Sequence, residues 1–151
     1  KKLLDEHILF DVLPDDQLTP ATRDRYRLVL SVVKPKGTAG RLSDFEAPQT
    51  VRVSASKPAK GGEVTLHFVN YDRTEPKEPK SAGGGIKDEK PIAVEGVKAD
   101  FALPKDAKVK KVIAATPEEP DGVELKFEVS DGRIQFVVPK FLVYAIVRVV
   151  L

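Results

Sequence analysis

The stretch VRVSAS, residues 51–56, alternates cleanly: Val51, Val53 and Ala55 fall on one face, Arg52, Ser54 and Ser56 on the other. A period of two marks a half-buried strand with one wet face. VELKFEV repeats the pattern, with Val123, Leu125, Phe127 and Val129 inward and Glu124, Lys126 and Glu128 outward. In EVTLHFVNY, Val64, Leu66 and Phe68 stand against Thr65, His67 and Val69. Strands are predicted over residues 49–56, 63–71, 97–103, 108–115, 123–129, 133–138 and 141–150, with a further short one at 92–95. The separators KPAKGG, PKDA, TPEEPDG and SDG carry turn chemistry. Ser130-Asp131-Gly132 is a hairpin signal, because Gly supplies the positive φ that tight hairpins need. Seven to eight short strands at this spacing predict a mainly β chain folded as an antiparallel β-sandwich.

The first forty residues have a different rhythm. KKLLDEH reads as the end of a helix that begins outside this chain, and ILFDVL (residues 8–13) as a short strand. In PDDQLTPATRDRY, Thr19 fits an N-cap and Pro20 the first helical position, where a missing N–H costs nothing. RLVLSVV (residues 27–33) is apolar on consecutive positions, as in a strand covered on both faces. Strand, helix and strand together predict a short βαβ unit, truncated because one such unit cannot bury its own sheet. KPKGTAG breaks the pattern, so the predicted boundary sets a partial α/β segment and linker at 1–40 against a sandwich at 41–151. Residues 72–91, with several prolines, three consecutive glycines and charges of both signs, are expected to form a long surface loop.

Composition narrows the chemistry. The 151 residues carry 25 basic and 23 acidic side chains, and the near balance gives no field suited to nucleic acid. The chain has no cysteine, which excludes a disulfide framework, a thiol nucleophile and thiolate metal sites but does not fix the compartment. FLVYAIVRVVL, the most apolar run, is shorter than the ~20 residues of a membrane helix and contains Arg148. Its β-branched content suits a buried strand, and no membrane partner is expected. The absence of methionine, even at position 1, suggests a fragment or processed chain.

Two stretches carry a resemblance. LLDEHILFDVLPDDQLTPATRDRYRLVL resembles part of the amidotransferase-like trimerisation domain that follows the catalytic barrel of β-galactosidase-type glycoside hydrolases. VTLHFVNYDRTEP, and the run from Val97 through Leu103-Pro104, Thr116-Pro117-Glu118 and Val138-Pro139 to Tyr144, resemble the C-terminal β-sandwich of multidomain glycosidases. The first covers residues 1–33 and the second 42–151. The barrel with its two catalytic carboxylates is not in this chain, so no catalytic residue is carried over. The resemblance implies a non-catalytic accessory module that packs against a catalytic domain and stabilises it, with oligomer contacts left open. It implies a glycosidase as parent and leaves the compartment unknown, a bacterial secreted or periplasmic parent being compatible with it.

His67 sits within a strand, where a satisfied, partly buried histidine is the commoner state. His7 has no second ligand nearby in sequence, so no metal and no cofactor are expected. Asp15-Asp16, Asp88-Glu89 and Glu118-Glu119 are paired acids, but a glycosidase needs two carboxylates facing one bond. Gly83–Gly85 lacks the Lys-Ser/Thr of a phosphate loop, and no serine has a G-x-S-x-G setting. Tyr71 and Tyr144 are the aromatics suited to sugar stacking. Asn70, Tyr71, Asp72 and Arg73, at the mouth of the long loop, form the alternative: a weak polysaccharide-binding site near residues 70–91.

Overall fold

The computed structural model describes residues 5–11, 19–26, 28–29, 36–37, 43–74 and 90–151. The described chain is mainly β, with one short helix, α1 (Pro20–Arg23). Nine strands form a sandwich of two antiparallel sheets. They are β3 (Asp44–Glu46), β4 (Val51–Ser56), β5 (Glu63–Asn70), β6 (Val97–Ala102), β7 (Lys111–Ala115), β8 (Val123–Glu124), β9 (Phe127–Ser130), β10 (Arg133–Val138) and β11 (Tyr144–Val150). One sheet has the order β3-β6-β10-β9, the other β4-β5-β11-β7-β8.

Alternation fills the space between the sheets. Phe45, Ala99, Phe101, Ile134, Phe136 and Val138 point inward from the first sheet. Val53, Leu66, Phe68, Val112, Ala145 and Val147 meet them from the second. The Phe45 ring stands edge-on to Phe68 across the two layers, with centroids 5.9 Å apart. Phe141, on the connection between β10 and β11, closes the same aromatic group at 6.5 Å from Phe68. Burying one such ring contributes about 1.5 to 3 kcal/mol. Asp131 and Gly132 both have positive φ, 50° and 69°, between the paired residues Ser130 and Arg133. That is a two-residue type I′ turn, as the SDG signal predicts.

Two differences account for nine sandwich strands where seven to eight are expected. β3 offers a single apolar residue, Phe45, too little alternation to register as a strand. The run 123–129 is split: β8 pairs with β7, while β9 pairs with β10 in the opposite sheet. The chain changes layers at Leu125-Lys126, so alternation continues unbroken through a corner. Leu125 and Phe127 are half-buried as expected, but Val123 and Val129, at the two sheet edges, are exposed. The strand foreseen at 92–95 is reduced to bridges, Val94 with Phe141 and Pro91 with Arg73.

The N-terminal part differs more. Thr19 does cap α1, its hydroxyl accepting from the Thr22 amide, with Pro20 at the first helical position. Of the two stretches expected to pair in a βαβ unit, 8–13 and 27–33, only residues 8–11 and 28–29 are described. β1 (Leu28–Val29) pairs with β2 (Lys36–Gly37), and residues 8–11 belong to no strand. Residues 12–13, and most of the expected strand at 27–33, lie outside the described residues. The segment around His7 touches the sandwich directly. Leu9 packs against its core, and Asp5 pairs with Arg52 at 3.2 Å. Among the described residues no helix is long and apolar enough to cross a membrane.

Candidate functional site

The end of β5 sets the geometry of the predicted loop-mouth site. Asn70 shares the parity of Val64, Leu66 and Phe68, so its side chain enters the interior, where it is fully buried. Its amide nitrogen donates to the carbonyls of Ile92 and Leu142, each at 2.7 Å. Its side-chain oxygen accepts from the Asp72 amide at 2.9 Å. Three backbone segments are thereby tied together beneath the loop: 70–72, 92 and 142. This meets the demand that a buried amide find partners for its donors and acceptor.

The other three residues of the quartet diverge. Tyr71 has the opposite parity and is 63% exposed. Arg73 donates to the Asp72 carbonyl at 2.8 Å and, at 3.4 Å, to that of Asn70. Thr74 and Lys90 pair through the backbone, 2.9 Å from amide to carbonyl, closing the loop base. Residues 75–89, with Asp88-Glu89 and Gly83–Gly85, lie outside the described residues, as do Asp15-Asp16. Asn70 is a structural staple here, and Tyr71 is the member of the quartet best placed to touch a ligand.

A second group forms on the outer face of the five-stranded sheet. His67 Nδ1 lies 2.6 Å from the Tyr144 hydroxyl, and Nε2 lies 2.9 Å from the Ser56 hydroxyl. The His67 and Tyr144 rings are nearly parallel, 26° apart, with centroids at 6.2 Å. One ring nitrogen of a neutral imidazole donates and the other accepts, so the chain of three has a direction set by the tautomer. Its members are 11 and 77 residues apart in sequence, and β4, β5 and β11 bring them together. In chemistry it holds a half-buried histidine in one orientation. On the same two strands, Arg148 donates to the Glu63 carboxylate at 2.6 Å, which raises the guanidinium pKa above its ordinary value.

The remaining candidates separate. His7 is buried with φ 55°, and its Nε2 donates to the Ala47 carbonyl at 2.9 Å. Glu118 and Glu119 are exposed in the turn before β8, where the Glu119 amide donates to Thr116. They border a depression of about 460 Å³ that also reaches Pro139 and Leu142. Among the described residues no three histidine, aspartate or glutamate side chains come together as a metal-binding group would require.

No family model matches this chain, and no curated protein matches it. Solved structures do share its fold. One is α-L-fucosidase isoenzyme 2 from Paenibacillus thiaminolyticus, with TM-score 0.52 and 22% identity, over 71% of this chain and 15% of that one. Another is a cycloisomaltooligosaccharide glucanotransferase from Paenibacillus sp., solved with cycloisomaltoheptaose, with TM-score 0.50 and 15% identity. That match covers 70% of this chain and 16% of the other. At these identities what is shared is the β-sandwich, and this chain corresponds to about a sixth of each larger protein.

Proposed function

We propose that this chain is an accessory, non-catalytic β-sandwich module of a multidomain glycoside hydrolase, packing against a catalytic domain and stabilising it. The observation that carries the reading is the structural likeness to portions of two large proteins, a fucosidase and a glucanotransferase, each about six times the matched length. In this reading residues 41–151 are the module, and residues 1–40 lead into it from a β-galactosidase-like catalytic barrel upstream. The surface around the Asn70 staple suits such packing. Tyr71, Ile92 and Val143 are exposed apolar side chains, each within one residue of a backbone segment that Asn70 holds. Large apolar groups on a rigid base are what an interdomain contact covers.

A second reading rests on the exposure of Tyr71: a weak polysaccharide contact at the loop mouth, with Asp72 and Arg73 beside the ring. Two observations test the module reading. The reading frame upstream of Lys1 should encode a catalytic barrel, and the chain alone should not turn over chromogenic glycosides. A reading frame that encodes no further domain, or turnover by the chain alone, contradicts it.

A further inference from the structure

The two outer faces of the sandwich differ in chemistry. On the four-stranded sheet Asp44, Glu46, Lys98, Glu128 and Gln135 are exposed, and Val137 is the large apolar side chain among them. On the five-stranded sheet alternation turns Val69, Tyr144, Ile146, Ala115 and Ile113 outward, each half-buried. The register makes them neighbours. Tyr144 lies opposite Val69, Ile146 lies opposite Ala115, and Ile113 shares the outward parity of Ala115 on β7. They form an apolar band across β5, β11 and β7. Tyr71 continues the parity of Val69 and extends the band with an exposed ring.

The polar groups beside the band already have partners. His67 stands between the Ser56 and Tyr144 hydroxyls, and Arg148 pairs with Glu63. A polar group that keeps its hydrogen bonds loses less when water is excluded. The N-terminal segment reaches this face. Leu9 packs against the core, His7 donates to the Ala47 carbonyl, and Asp5 pairs with Arg52, an outward residue of β4. Arg52 lies opposite Val69, which lies opposite Tyr144, so Asp5 meets the β4 end of a row that runs into the band. Lys1 is four residues from Asp5. Four residues reach at most about 14 Å.

Resting on the accessory-module reading, we infer that the catalytic domain preceding this chain docks on the outer face of the five-stranded sheet. It meets the band from Ile113 to Tyr71 with a predominantly apolar surface. A domain joined at Lys1 is tethered close to the β4 edge of this face, where Asp5 sits. Covering the band removes aliphatic and aromatic side chains from water, and the hydrogen-bonded Ser56, His67 and Tyr144 chain needs no new partner. The charged face of the four-stranded sheet stays in water.

Two measurements on the complete gene product test this. Hydroxyl-radical footprinting of the wild-type protein compares Tyr71 and Tyr144 there with the same residues in the 151-residue chain alone. Both should be oxidised several-fold more slowly in the complete product. Ile146→Lys puts a charge in the middle of the band, and Val137→Lys is its counterpart on the other face. A thermal melt of the 151-residue chain carrying each change checks that it folds. In the complete product, Ile146→Lys should lower the melting temperature of the catalytic domain toward that of a version lacking residues 43–151, and Val137→Lys should not. Unprotected tyrosines, or equal effects of the two lysine variants, overturn the docking face; if removal of residues 43–151 still lowers the melting temperature, the stabilising role survives. If removal changes nothing, the accessory role itself is wrong and the docking face falls with it.

Discussion

The Asn70 side chain donates to the Leu142 carbonyl at 2.7 Å, joining the end of β5 to the connection before β11, 72 residues away. With its bonds to Ile92 and Asp72, it holds the base of the long loop against the connection between β10 and β11. Replacing it by alanine leaves the part-buried Ile92 and Leu142 carbonyls without these donors. Asn70→Ala should therefore cost about 2 to 4 kcal/mol, read by chemical denaturation. Tyr71→Ala, at the neighbouring exposed position, should cost less than about 1 kcal/mol. Equal losses at the two sites would show that the staple is not what holds this end of the sandwich.

Gly122, just before β8, has φ +76° and faces the β7 backbone. A Cβ there would stand 2.9 Å from the Ala114 carbonyl oxygen and 3.0 Å from Ile113 Cγ2. Gly132 has a similar φ of +69° but open space around it. Both alanine variants incur left-handed strain of about 1 to 2 kcal/mol, and Gly122→Ala adds an overpacking cost of about 1 to 3 kcal/mol. Thermal or urea melts should rank Gly122→Ala clearly below Gly132→Ala.

Tyr26 donates a hydrogen bond to the Asp11 carboxylate at 2.9 Å. That bond, then desolvation and the negative charge of Asp11, raise the phenol pKa above its ordinary value. A group whose pKa is raised by folding contributes stability below its unfolded value, near ~10, and loses it as pH rises through the higher folded value. Ultraviolet titration should show that Tyr26→Phe removes a phenol ionising above the ordinary tyrosine range, and that Asp11→Asn lowers the Tyr26 pKa toward that range. If Asp11→Asn leaves the profile unchanged, the pair does not persist in solution.

Much of the sandwich was legible from alternation. The 133–138 strand matches β10 in both limits, and the strands read at 49–56, 63–71 and 97–103 match β4, β5 and β6 to within two residues. The corner at Leu125-Lys126 was hidden because a strand that crosses between layers keeps a period of two throughout. β3 was hidden because three residues with one apolar centre carry almost no periodic signal. Asn70 was read by residue type, as a polar group near a loop, although its parity with Leu66 and Phe68 already placed it inside. The Ser56, His67 and Tyr144 chain depends on strand order, which alternation does not encode.

As proposed, this sandwich supports a catalytic domain to which it is joined. The most direct measurement compares the complete gene product with a version lacking residues 43–151, following thermal melting and glycosidase activity together. Removal should lower the melting temperature of the catalytic domain and shorten the lifetime of its activity. Unchanged melting and unchanged activity would contradict it.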